Sequence, residues 1–446
     1  MTQKEFKDSM VRGLGRCVIA AKQNPERYRK SILMACRKNP AYDPQCEGSR
    51  AWYTYTLAAC FADRRPFIDA AVGALKKHHP SSNWDLSYLG ELLMHFALDG
   101  DSYARAALED KYRELLARIF SRKRRPRQFF WELSELEELG MILSNDRASV
   151  LRIAEDFGRL YQQKGFLEDG EFFHFFALEG KTYRKQLESA AKRNEHIACF
   201  LQREQAYIAA LERRQKMRKE PLPGELTGIR LSIYLKKTAD RETVAQYALA
   251  YREEKRLKYR AEALYAFAEC PYPDDPQPII EDAQSDCEEL RDRAWRALEN
   301  LRHPDVRTFA LNNIANKERT VETFLLLVSN YLPEDAPLLE KLLRERIAER
   351  DWDGVHSAGL AVDAAFSKGG KCPRPKQLLP LLYRYTPCSC CREYFLRHMA
   401  KHRMLTKEML EECRYDSRDA IRKFAATAAA RRNAPLQFSR NPIIIK

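Results

Sequence analysis

An all-α chain, folded as a right-handed superhelical solenoid of stacked antiparallel helix pairs, is what this sequence predicts. Three observations predict it. Apolar residues recur at helical spacing along almost the whole 446 residues, whereas β-branched runs with a period of two are nearly absent. Long stretches rich in Ala, Leu, Glu, Lys and Arg are cut by short turns of Pro, Gly, Asp or Asn. Residues 91–103 return as residues 171–183, so that Phe96-Ala97-Leu98 reappears as Phe176-Ala177-Leu178 at an offset of 80 residues. Self-similarity at a fixed period marks a repeat array, in which each unit buries its apolar face against its neighbours. Contacts are therefore expected only between sequence neighbours.

The first half sets the repeat. Trp52 and Trp131 lie 79 residues apart, close to the offset of the Phe-Ala-Leu motif, so residues 52–116 and 131–197 read as tandem copies of a module of two helical hairpins. Within the motif Gly100 is placed to take the left-handed conformation that ends one helix, with Asp101 or Ser102 capping the next. Gly180 with Thr182 does the same in the second copy. Trp131, by alignment with Trp52, is expected in the core. Two prolines and two glycines between Lys219 and Gly228 must interrupt a helix. The expected organisation is thus an N-terminal repeat region over 1–220, a linker or hinge at 221–228, and a second repeat region over 229–446. The closing Ile443-Ile444-Ile445 is read as a cap on the last repeat, the alternative being a tail that inserts into a partner.

A different cell recurs in the second half: aliphatic, basic, two spacers, alanine. It appears at Leu257–Ala261, Leu290-Arg291-Asp292-Arg293-Ala294, Val306-Arg307-Thr308-Phe309-Ala310 and Ile421-Arg422-Lys423-Phe424-Ala425. Positions i and i+4 share a helix face, where the alanine admits a neighbouring helix and the aliphatic residue fills the layer between. With Leu298, Leu301 and His303-Pro304-Asp305-Val306, and with Tyr415 to Arg422, these stretches resemble the HEAT-repeat proteins. The resemblance implies that the cell marks the second helix of a hairpin, with Asp416 and Arg422 as a capping and bracing pair. It also implies a scaffold, adaptor or transport role.

Composition bounds the function. Hydrophobic residues at 45% and charged residues at 31% describe a folded chain, and the formal net charge is +14. Such a field attracts polyanions or acidic proteins, less so at high salt. Residues 1–16 contain no apolar run of signal-peptide length, and the densest apolar run, Phe324 to Val328, is too short to span a bilayer. Twelve cysteines without a small-domain disulfide framework point to a reducing compartment, and the cytoplasm is expected.

Candidate sites are few. Arg122, Lys123, Arg124, Arg125 and Arg127 surround a proline, followed by Phe129, Phe130 and Trp131. Basic residues beside aromatics suit phosphate contact and base stacking. Cys388, Cys390 and Cys391, followed by His398 and His402 and flanked by Cys372 and Cys413, offer zinc-type ligands. Their spacing is not that of a finger or ribbon. The cluster reads instead as a helix start, with Thr386 as cap and Pro387 at the first helical position. No metal or cofactor is expected. Gly13-Leu14-Gly15 lacks the third glycine of a dinucleotide site, and neither a phosphate-cradling loop nor a nucleophile elbow occurs. The expected function is non-enzymatic: a scaffold or adaptor whose concave face holds a protein partner, one with acidic segments. The alternative is a nucleic-acid-binding solenoid with a basic groove.

Overall fold

Helices follow one another from Gln3 to Asn433, and no strand occurs among the described residues. The computed structural model describes residues 1–79, 84–122, 127–145, 147–165, 183–217, 226–316, 320–367 and 373–433. The second copy of the repeated motif with Gly180 lies outside the described residues, as do Lys123 to Arg125, Cys372, most of the 221–228 linker and Ile443 to Ile445. No helix among the described residues is long and apolar enough to cross a membrane.

The chain divides into two units, Met1–Arg218 with Thr406–Lys446, and Lys219–Leu405. This differs from the expected split, because residues 406–446 join the first region and not the second. The first unit therefore draws on both ends of the chain, and the expectation that contacts stay between sequence neighbours fails there. The physical reason sits in Gly13-Leu14-Gly15. A Cβ on Gly15 would stand 1.9 Å from the Glu412 carbonyl oxygen, so only glycine admits the 412–417 backbone at this distance. Gly13 has a φ of +71°, and its carbonyl accepts the Ser417 amide at 2.9 Å. Arg16 grips the Glu412 carboxylate through two bonds of 2.8 Å each, and Arg422 stacks 3.7 Å over the Trp52 ring. These glycines, tested in the sequence as a nucleotide motif, are a chain-end junction.

Within each unit most helices pack against close sequence neighbours, next or next but one, although in the first unit Arg16–Gln23 also packs on Ala51–Ala58 and Arg29–Ala35 on Arg65–Lys77. Their register is readable from paired side chains. In the first unit Arg105 donates to Ser149 Oγ at 3.3 Å, Arg152 to Glu109 at 2.7 Å, and Lys164 to the Phe120 carbonyl at 2.8 Å. Partners stay 43 or 44 residues apart along the whole contact, so Ser102–Ser121 and Arg147–Lys164 run parallel, with Arg127–Leu143 between them in sequence. In the second unit His356 faces Cys391 and Asp363 faces His398, both 35 residues apart, so Trp352–Ser367 and Ser389–Lys401 also run parallel. This is the up, down, up stacking of helix pairs.

Local chemistry explains the turns. Asp85–Leu98 ends at Gly100, φ +97°, whose amide donates to Ala97 while the Asp101 amide donates to Phe96, both at 3.0 Å. This is the Schellman pattern. The Asp101 carboxylate then caps Ser102–Ser121 by accepting the Ala104 amide at 2.7 Å. The first unit's core runs from Phe6 and Tyr53 through Leu92 and Leu115 to Phe157 and Phe200, all buried.

The recurring cell is buried at Leu290, Val306 and Ile421 and at all four alanines, Ala261, Ala294, Ala310 and Ala425. Leu257 departs from it and is half exposed. Its basic residue holds the fourth position of three helices, Glu288–Leu298, Pro304–Ala315 and Asp419–Asn433. Arg291 donates to the Ser285 carbonyl at 2.9 Å and Arg422 to the Asp416 carbonyl at 2.8 Å, each six residues upstream. Arg307 reaches forward instead, to the Asp335 carboxylate at 2.5 and 3.1 Å. The Asp416 carboxylate accepts the Arg418 amide at 2.9 Å, which closes the turn before the helix.

Candidate functional site

In the first unit a groove of about 610 Å³ opens between the Asp85–Leu98 helix, the Arg127–Leu143 helix and the Pro44–Gly48 turn. Its apolar wall is Trp84, Met94, Leu98, Met141 and Ile142. Trp84 is 46% and Leu98 62% exposed, a concentration of bared apolar surface that water does not favour. The formal charges in the lining are Glu91 and Glu138, and no Lys or Arg contributes among the described residues. The Ser87 hydroxyl donates to Glu138 at 2.7 Å. Burial pushes the Glu91 carboxyl up, with a hydrogen bond from Ser49 opposing the shift in part. Burial, with a smaller contribution from the Arg422 charge, holds the His95 imidazole below its usual range and so favours its neutral form. On a chain of net charge +14 this groove is locally acidic.

The cysteine cluster occupies a close helix crossing in the second unit. Buried Val355, Ala358, Gly359 and Val362 give Trp352–Ser367 one face of small and branched residues. A Cβ on Gly359 would meet the Phe395 ring at 2.8 Å, so Ser389–Lys401 approaches closely. This brings His356 Nε2 to 3.2 Å from Cys391 Sγ, and those two atoms and Cys388 Sγ all lie within 4.8 Å of one another. Cys388 and Cys391 are buried, and His356 is partly exposed. Hydrogen bonds from Cys390 and Cys391, then His356, hold the Cys388 thiol well below its ordinary range; the bond to Cys388 and burial push Cys391 the other way.

The sequence reading of this region is corrected in three ways. The helix begins at Ser389 with Cys388 at the cap, while Thr386 ends the preceding helix Leu379–Tyr385. His398 bonds Asp363 at 2.7 Å, and His402 packs edge-on against Phe366, its ring centroid 5.5 Å away. His356 was missed altogether. The signal available for it was Cys388-x-x-Cys391, nested inside Cys-x-Cys-Cys, and a histidine one helix pair upstream.

The basic run is only partly described. Arg122 forms a pair of 2.6 Å bonds with the buried Glu132 carboxylate, and Arg127 opens the Arg127–Leu143 helix. Trp131 is 42% and Phe130 47% exposed, which overturns the core placement drawn from the Trp52 alignment. The buried stripe of that helix is Leu133, Leu136, Leu139 and Leu143, and Trp131 lies off it. No protein-family model, curated protein or solved structure matches the chain.

Proposed function

We propose that this chain is a non-enzymatic binding scaffold or adaptor of the HEAT-like helical-solenoid kind, working in the cytoplasm. Its groove beside Glu91 and Leu98 holds an amphipathic segment of a protein partner that carries at least one Lys or Arg. The groove carries the reading: an apolar trough with exposed Trp84 and Leu98 and with only acidic formal charges in its described lining. A cation seated against Glu91 offsets the desolvation of that carboxylate, while apolar side chains cover Leu98. This reverses the sign expected from the net charge, which favoured acidic partners. Repeat character is supported by the parallel registers of 35 and about 44 residues and by the arginine at the fourth helix position.

Panning a displayed library of random helical peptides against the intact protein tests the proposal. Enriched peptides should combine an apolar stripe with Lys or Arg, and should lose binding to Leu98→Asp and weaken against Glu91→Gln. Enrichment indifferent to both substitutions, or none, overturns it.

A second reading, single-stranded nucleic acid, is favoured by the exposed pair Phe130 and Trp131 beside the basic run. It predicts fluorescence anisotropy binding of an RNA or DNA oligomer that falls steeply with salt and is lost in Trp131→Ala. The pairing of Arg122 with Glu132 counts against it.

A further inference from the structure

We infer that Cys388, Cys391 and His356 form a binding site for one soft divalent cation of the zinc class. Three donors of the right chemistry converge from two helices on one point, and their mutual separations, all within 4.8 Å, are short enough for small side-chain shifts to let them share one tetrahedral ion. The sequence places Cys388 and Cys391 one helical turn apart at the start of Ser389–Lys401, so both sulfurs leave the same end of that helix. His356 arrives from the parallel helix because Gly359, one turn further on, admits the Phe395 ring and fixes how near the two helices lie.

The donor set selects the ion. Two sulfurs and an imidazole nitrogen favour zinc over magnesium or calcium, which take oxygen ligands. On binding, both thiols give their protons to solvent, so two thiolates balance the dication and the neutral imidazole adds no charge. A tetrahedral ion has one further position, for a donor beyond these three. The ion would clamp Trp352–Ser367 to Ser389–Lys401 across the intervening Leu379–Tyr385, joining two successive helix pairs of the second unit.

The site is distinct from the groove and stands whether or not the groove binds a peptide. The test is zinc content of the full untagged chain, purified under reducing conditions, exposed to zinc and dialysed against a weak chelator. One ion per chain is expected, with thiolate-to-metal charge transfer and tetrahedral bands when cobalt replaces zinc. Cys388→Ser and Cys391→Ser should abolish retention, and His356→Ala should weaken it by roughly tenfold or more. Cys46→Ser, at an exposed cysteine of the first unit, should change nothing.

Should a variant lose its helical circular dichroism, the wild type alone still decides: a strong chelator must remove the cobalt bands and lower the melting temperature. Substoichiometric metal, binding indifferent to His356→Ala, or a Cys388 to Cys391 disulfide in freshly isolated protein each overturns the site.

Discussion

Replacing Gly15 by alanine tests the chain-end junction at a single atom. Gly15 has an ordinary right-handed conformation, φ −62° and ψ −20°, so alanine meets no backbone penalty and its whole cost is steric. The new Cβ would stand 1.9 Å from the Glu412 carbonyl oxygen and 2.9 Å from the carbonyl carbons of Glu412 and Tyr415. Ordinary contact lies near 3.5 Å, so the two backbones must part by roughly 1.5 Å. That movement breaks the Ser417 to Gly13 hydrogen bond and loosens the Arg16 to Glu412 pair. Overpacking costs about 1–3 kcal/mol and the backbone bond about 1 kcal/mol; the partly exposed ion pair adds less than about 1 kcal/mol. A loss of about 3 kcal/mol is expected.

Gly73→Ala is the matched control, because Gly73 lies inside the Arg65–Lys77 helix with open space around its Cβ position. It should gain about 0.5–1 kcal/mol from helix propensity. Urea unfolding gives the two energies, and hydrogen exchange at residues 412–417 shows where protection is lost. If Gly15→Ala matches Gly73→Ala in sign, or leaves Ser417 protection unchanged, the junction is not what joins the chain ends.

Two further outcomes follow from the first unit. Glu47 and Arg50 form a buried pair at 2.5 Å, with side chains 0% and 2% exposed, so Glu47→Gln leaves a guanidinium charge buried and should destabilise by about 3–5 kcal/mol in urea melts. Burial pushes the thiols of Cys17 and Cys36 up from 9.0 to about 12. A raised folded pKa means that their stabilising contribution is intact below pH 9 and is lost as pH climbs towards 12. Three units correspond to at most about 4 kcal/mol per thiol. The urea midpoint should therefore drop between about pH 8 and about pH 10, and iodoacetamide should label exposed Cys46 well before either buried thiol.

The sequence discloses what local rules govern. Helical periodicity, the left-handed Gly100, the Asp101 cap and the buried alanines of the recurring cell each depend on neighbours a few residues away, and each is legible. What depends on distant partners is not. Nothing near Gly13 and Gly15 announces the backbone of residues 412–417, and although Cys388-x-x-Cys391 hints at a further ligand, the sequence does not say that it is His356, 32 residues earlier on another helix. Trp131 shows a third limit. Aligning it with Trp52 matches residue identity between copies but does not fix helical phase, and the leucine stripe of Arg127–Leu143 puts Trp131 towards solvent. The groove escaped notice because its wall gathers residues near 45, 91 and 141, which only the packing of the helices assembles.

A photoreactive amino acid placed at Leu98 in the intact protein, irradiated in cells, addresses the binding role most directly. One dominant adduct is expected, with a protein segment that is amphipathic and bears Lys or Arg, formed less when Glu91 is also changed to Gln. Adducts absent at Leu98 but formed from a photoreactive residue at Trp131, or adducts with acidic segments that ignore Glu91, would contradict it.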